Sequence, residues 1–280
     1  MHCRNYSKEK YRTGGNIQMK HYVVADPHGF YTFLKQALEE AGFFDDSEPH
    51  KLVVCGDVLD RGTESVEIVN FLLDLAKKDM LILVKGNHED LFVQCLMEVA
   101  RGNVVEIACG CSHHYRNRTW HSLLQLAAMK EKTAVEFPGS LVSKVRNTRF
   151  YRELLPLCRD YYETEHYVFC HGWIPVMNKG DKYSPIYEYD PEWRSADVER
   201  WRAARWYNGM ELACDRGIRE PGKTIVCGHW HTSFGHNRYE GKGTYRGDND
   251  DLSPFYADGI IALDGCTVRS NHVNCIVIED

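Results

Sequence analysis

Five short apolar runs along this chain each end in the same few polar residue types. "HYVVADPHG" ends in Asp26 and His28, "KLVVCGDVLDRG" in Asp57, Asp60 and Arg61, and "LILVKGNHED" in Asn87 and His88. "HYVFCHGW" ends in His171, and "KTIVCGHWH" ends in His229 and His231. A short run of Val, Ile and Leu uninterrupted by charge reads as a strand buried on both faces. Polar groups placed directly after such a run sit at the strand's carboxyl end, the edge where open α/β sheets bind ligands. One such loop is unremarkable, whereas five delivering Asp, Asn and His to one sheet edge imply a loaded site.

The intervening sequence supports an α/β fold. "FYTFLKQALEEAGF" stops at a glycine, and "TESVEIVNFLLDLAKKD" carries apolar residues at helical spacing behind Thr63, so the first three runs read as β-α-β-α-β. A helix is predicted to continue from "GNHED" through "LFVQCLMEVA". Residues 101–165 hold no convincing strand but several helical pieces, including "WHSLLQLAAMK", and read as a helical insertion flanking the site. Residues 178–222 are mixed, and the chain closes with "GIIALDG" and "NCIVIED", two strands joined by the polar "CTVRSNH". No linker divides residues 19–280, which we read as one domain. The polar first eighteen residues read as a flexible tail, with Met19 as an alternative start.

With 280 residues and 43% hydrophobic composition, the chain can bury a substantial core. A formal charge of −6 gives no general attraction for nucleic acid or anionic membrane, so neither is expected as a partner. No stretch approaches the roughly 20 apolar residues of a membrane span, and the N-terminus lacks a signal peptide's apolar centre, which points to a cytoplasmic protein. The eleven cysteines are odd in number, and Cys55, Cys170, Cys227 and Cys275 lie inside apolar runs, where they read as small buried hydrophobes. "ACGCSHH" (Cys109, Cys111, His113, His114) could bind zinc but lacks a second half, so a polar loop is the simpler reading.

Asp, His and Asn are the mixed oxygen and nitrogen donors that first-row divalent metals accept. Two such ions about 3.5–4 Å apart need a bridging carboxylate, and Asp57 is the natural candidate. Glycines beside the donors (Gly29, Gly56, Gly86, Gly172, Gly228) suit tight turns and close backbone approach.

The ordered blocks "DPHG" from Asp26, "GDVLDRG" from Gly56, "GNHE" from Gly86, "HG" at His171 and "GHWH" from Gly228 resemble the calcineurin-like metallophosphoesterases. The "DRG" ending looks like their phosphoprotein phosphatase branch, which includes bacterial diadenosine tetraphosphate hydrolases, and the C-terminal strands are similar to the final hairpin of its bacterial members. The resemblance implies a four-layer α/β/β/α sandwich of two mixed sheets holding two divalent metal ions, Mn²⁺ in the first place, with Fe or Zn²⁺ compatible. It assigns Asp26 and His28 to one metal, Asn87, His171 and His229 to the other, and Asp57 to both. His231 fits the first metal in the broader family, although the "DRG" branch usually has another residue there. Two further departures are Pro27 between two candidate ligands and Trp173 after "HG".

The implied chemistry is metal-assisted attack of water on phosphorus. His88 would protonate the leaving oxygen with Asp60 orienting it, and Arg61 would clamp a phosphate through its planar fork; the plainer alternative is a surface ion pair between Arg61 and Asp60. Arg205 in "AARWYNG" is a second candidate phosphate contact, although a helical arginine is more often solvated.

Substrate choice must lie outside this core. The leading expectation is a phosphomonoesterase of the serine/threonine protein phosphatase kind, acting on phosphorylated protein or a small phosphorylated molecule. The alternative is a dinucleoside polyphosphate hydrolase, for which Tyr183, Tyr187, Tyr189 and Trp193 could stack an adenine. His231 favours a phosphodiesterase or nuclease, but the net charge does not. An inactive binding module would lack a ligand, His88 or Arg61, and none is missing.

Overall fold

The computed structural model describes residues 19–181 and 183–280; the expected tail over 1–18 lies outside them. The first half runs β1 (Lys20–Val24), α1 (Tyr31–Glu40), β2 (His50–Cys55), α2 (Ser65–Lys77), β3 (Leu81–Val84) and α3 (Asn87–Ala100). Five short helices follow: α4 (Val104–Ala108), α5 (His113–Arg116), α6 (Thr119–Ala127), α7 (Glu131–Glu136) and α8 (Pro138–Arg146). The second half holds β4 (Tyr162–Glu163), β5 (Tyr167–Phe169), β6 (Val176–Asn178), β7 (Tyr187–Tyr189), α9 (Val198–Ala204), α10 (Gly209–Cys214) and β8 (Thr224–Cys227). It ends with α11 (Ser233–Gly235), β9 (Phe255–Ala257), β10 (Ile260–Ala262), α12 (Thr267–Ser270) and β11 (Cys275–Glu279).

Two mixed sheets form. The first has order β11-β1-β2-β3, with β1, β2 and β3 parallel and β11 antiparallel to β1. The second has order β4-β5-β8-β10-β9, with β5, β8 and β10 parallel and both edge strands antiparallel. The uncharged strands predicted a sheet covered on both faces, and the side chains alternate accordingly. Val23, Val53 and Cys55 pack against Phe169, Val226 and Leu263 between the sheets. Their neighbours Tyr22, Val24, Leu52 and Val54 face the helices, meeting Leu34 and Leu38 of α1 and Ile68 and Leu72 of α2. On the other sheet, Val168, Cys170, Ile225 and Cys227 turn toward Trp173, Trp193, Trp201 and Met210. The result is helix, sheet, sheet, helix, the expected four layers. Cys55, Cys170 and Cys227 are buried, free and close-packed, and Cys275 is partly buried.

Two expectations need correction. The last two strands do not make a hairpin: β10 pairs with β8 in the second sheet, and β11 pairs with β1 in the first. Their connection crosses between the sheets and is tied to the β1 end by the Thr267 hydroxyl, which donates to the Asp26 carbonyl at 3.2 Å. The 101–165 segment is helical, with Trp120, Leu123, Leu141 and Val145 joining the core beneath the first sheet, but its end contains β4, held by pairing with β5 rather than by its own pattern. Among the described residues, no helix is long and apolar enough to cross a membrane.

Candidate metal centre

The carboxyl ends of β1, β2, β3, β5 and β8 bring Asp26 and His28, Asp57 and Asp60, Asn87 and His88, His171, and His229 together. The turns that do this are tightly constrained: Asp26, His28, Asp57, Asp60, Arg61 and His229 all have left-handed backbone, with φ of 52°, 49°, 54°, 75°, 57° and 69°. Such conformations are uncommon for residues with a Cβ and persist where surrounding bonds over-determine them. The first two turns are laced together by His28 N–H to the Asp57 carbonyl at 3.0 Å and Gly29 N–H to the Val58 carbonyl at 2.7 Å. Beneath them the buried Glu89 carboxylate accepts the N–H groups of Asp57 (3.1 Å), Val58 (2.9 Å) and Gly86 (2.7 Å). Only glycine fits at 86 and 228, because a Cβ there would collide with the carboxylate oxygens of Asp57 and Asp26.

Asp57 stands at the centre. Its Oδ1 lies 3.3 Å from His171 Nε2, whereas its Oδ2 lies 3.7 Å from His28 Nε2 and 3.8 Å from His88 Nε2. Two donor groups able to hold a cation follow, His28–Asp57–His88 and Asp57–His171–His229, sharing this carboxylate. Their ring orientations are set from behind. His28 Nδ1 donates to the Leu59 carbonyl (2.9 Å) and His171 Nδ1 to the Cys55 carbonyl (2.8 Å), leaving each Nε2 facing inward. Asn87 Oδ1 lies 2.8 Å from His171 Nε2, and the Asp26 carboxylate accepts the His229 N–H at 3.0 Å. His231 lies 4.0 Å from Asp264, and its Nδ1 is buried without a hydrogen-bond partner.

The electrostatics fit positive ions. Burial, with Asp264 nearby, pushes the Asp26 carboxyl well above the usual range, and burial likewise raises Asp264. Burial opposes ionisation of Asp57 too, but His171, His88 and His28 hold it well below the carboxylate range. Burial lowers His28 and His229 to about 3, with charge from His88 and His171 respectively adding to the effect. Against its burial, His171 is raised to about 10 by Asp57. His28 and His229, held neutral, and the ionised Asp57 are in the donor forms that divalent metals require, whereas Asp26 and His171 hold protons that a bound cation would displace.

His88 is separately supported. Its Nδ1 donates to Asp60 Oδ2 at 2.6 Å; Asp60 also accepts from the hydroxyls of Thr119 (2.6 Å) and Ser122 (2.7 Å) on α6. Asp60 is fully buried, so the surface ion pair with Arg61 is absent; the Arg61 Nη2 instead donates to Asn117 at 3.1 Å. A cavity of about 630 Å³ opens over these groups, and Arg61 lines it.

Arg205 does not line this cavity. Its buried guanidinium donates to Asp90 at 2.6 Å and also to Asp160, joining the first turn of α3 to the loop before β4. In this structure two carboxylates occupy the fork that was expected to contact phosphate. The expected adenine-stacking aromatics are also displaced, with Trp193 buried in the second core donating to Glu220 at 2.7 Å, and Tyr189 bonded to the same carboxylate at 2.8 Å. None of Tyr183, Tyr187, Tyr189 or Trp193 lines the cavity; Trp206, Trp230 and Tyr245 do. Cys109 and Cys111 are exposed and join neither donor group.

Sequence reasoning missed Asp264, although "IIALD" repeats the signature of an apolar run ending in a carboxylate; β10, parallel to β8, carries it to the same edge. It also missed Thr119 and Ser122, which no local pattern connects to Asp60.

Residues 19–233 match the family described as calcineurin-like phosphoesterase. A symmetrical bis(5'-nucleosyl)-tetraphosphatase of Thioalkalivibrio sulfidiphilus is 41% identical over 71 residues, 25% of this chain and 25% of that protein. Serine/threonine-protein phosphatase 2 of Escherichia coli is 34% identical over 92 residues, 31% of this chain and 39% of that protein. The match to the first of these curated relatives thus spans about a quarter of its length. Among solved structures, a mutant cold-active protein tyrosine phosphatase superposes with a TM-score of 0.51 at 16% identity, covering 95% of this chain and 76% of that one. With the two mixed sheets and the family match over most of its length, the chain belongs to the calcineurin-like phosphoesterase family.

Proposed function

We propose that this chain is a metal-dependent phosphoric ester hydrolase acting on phosphomonoesters, in the manner of a serine/threonine protein phosphatase. The observation that carries it is Asp57, whose two oxygens face separate groups of donors, as a carboxylate shared by two cations must. Asp26 and His28 would hold one ion, with His231 beside them, and Asn87, His171 and His229 the other. Mn²⁺ is the first choice, and Fe or Zn²⁺ suits the same donors. When bound, the metal pair supplies an activated water and neutralises phosphoryl oxygens.

The chain's own residues do the rest. Arg61 offers a fork to the phosphoryl group, held by Asn117 rather than cancelled by a carboxylate. His88, with Nδ1 fixed on Asp60, turns Nε2 toward the site and gives its proton to the leaving oxygen. Against the cost of burial, Asp57 and Asp60 raise the His88 pKa and so favour the charged acid form. A second reading, hydrolysis of a dinucleoside polyphosphate, is favoured by the activity for which the tetraphosphatase relatives are named and by aromatic side chains in the cavity wall.

The test is hydrolysis by metal-stripped protein with Mn²⁺ restored, comparing p-nitrophenyl phosphate, a phosphothreonine peptide, diadenosine tetraphosphate and bis-p-nitrophenyl phosphate. Metal-dependent turnover that is lost in His88→Asn supports the reading, and the preferred substrate selects between the two versions. No turnover on any of the four, with metal bound, contradicts it.

A further inference from the structure

The cavity wall facing the donor groups is built from a segment that the catalytic proposal does not use. Trp230 follows His229 directly, and Tyr245 and Arg246 come from the loop after α11. The Trp230 and Tyr245 rings lie nearly parallel, 12° apart with centroids separated by 6.2 Å. Phe234 packs edge-on against both, at 5.3 Å from Trp230 and 5.4 Å from Tyr245. Each ring is therefore locked in place before any ligand arrives, which lowers the ordering cost of binding.

The loop is braced as well. Arg269 donates to the Asp250 carboxylate at 2.9 Å and the Gly247 carbonyl at 2.5 Å, and Gly247 N–H donates to Asp250 at 2.9 Å. Arg269 is thereby neutralised. Arg246 is exposed, lies with its guanidinium 5.2 Å from the Tyr245 ring centroid, and among the described residues has no carboxylate partner. An aromatic face beside an unneutralised guanidinium, opening on a phosphoryl site, matches a planar ring joined to an additional phosphate.

We propose that Trp230, Tyr245 and Arg246 form a leaving-group subsite for a nucleoside polyphosphate, the aromatic pair stacking the base and Arg246 holding a phosphate beyond the one attacked. This rests on the second reading above, hydrolysis of a dinucleoside polyphosphate, for its catalytic consequence, but not for binding itself. ADP is the probe, carrying both a base and a second phosphate.

The experiment measures ADP affinity by quenching of tryptophan fluorescence, alongside kcat and KM for diadenosine tetraphosphate and p-nitrophenyl phosphate, in wild type, Tyr245→Ala and Arg246→Ala. Both side chains reach the surface, and circular dichroism checks each fold. We expect each variant to weaken ADP about tenfold. The ratio of kcat/KM for diadenosine tetraphosphate to that for p-nitrophenyl phosphate should fall about tenfold in Arg246→Ala, through KM, because only the first substrate carries the extra phosphates. Loss of ADP affinity in both variants, in a protein that turns over no substrate, would overturn the hydrolase reading and keep the subsite. ADP binding that is absent in wild type, or unchanged in both variants, overturns the subsite whatever the activity.

Discussion

Replacing His88 by Asn removes a proton donor without removing a side chain from the Asp60 pocket. We expect kcat for p-nitrophenyl phosphate to fall about 10²–10⁴-fold, the usual contribution of a general acid, with bound metal unchanged by elemental analysis because Asp26, His28 and Asp57 remain to hold the ion that His88 faces. Glu89 has a different importance. Its buried carboxylate gathers three N–H groups from the turns that carry Asp57 and His88, so Glu89→Ala leaves three buried donors without partners. At about 1–3 kcal/mol for each orphaned group, we expect a loss of at least roughly 3 kcal/mol in a urea unfolding curve, together with loss of metal affinity. Seen singly in sequence, Glu89 is an ordinary residue in the first turn of a helix; only the approach of β2 gives it three partners.

At the scale of elements, what could be read in advance was what parallel strands repeat. Each apolar run ended in its own polar residues, and because β1, β2 and β3, and β5 and β8, run parallel within their sheets, those residues meet at one edge. Groups supplied across long sequence gaps could not be read. The Thr119 and Ser122 hydroxyls come from α6, whose own pattern announces only a helix with Leu123 and Leu124 turned inward. Arg205 looked available because its two carboxylate partners, Asp90 and Asp160, are 115 and 45 residues away. The last two strands looked like a hairpin because each lacked a visible partner, and the choice between joining each other and joining different sheets depends on edges that exist only after folding. The α6 brace is testable. Removing both hydroxyls in Thr119→Val/Ser122→Ala should lower kcat by about tenfold or more while leaving metal content intact, because Asp60 then orients His88 less firmly.

For the whole molecule, acid and metal bias stability through different groups. Asp46 accepts the Glu48 N–H, the Tyr22 hydroxyl at 2.8 Å and the Lys20 ammonium, tying the loop after α1 to β1, and its pKa is lowered to about 2, chiefly by the Glu48 bond and then by Tyr22. A carboxyl depressed in the folded state stabilises above its unfolded value, about 3.9, and that contribution is lost as pH falls toward 2. Asp46→Asn should therefore flatten the pH dependence of Tm between about pH 4 and 2, as read by circular dichroism. Metal acts near neutrality by binding only the folded chain. At a hundredfold excess over Kd, each bound Mn²⁺ should add about 2.7 kcal/mol, so the pair should raise Tm by roughly 10 °C, and a chelator should reverse the shift.

The proposed chemistry depends on one carboxylate serving two cations. The most direct measurement is an isothermal titration of Mn²⁺ into metal-stripped protein, counting ions bound per chain in wild type and in Asp57→Asn, with p-nitrophenyl phosphate turnover followed in parallel. The account predicts two ions in the wild type, with turnover appearing as the second binds, and loss of both tight binding and turnover in the variant. A single ion in the fully active wild type, or two ions bound equally well after the Asp57 carboxylate is gone, would contradict it.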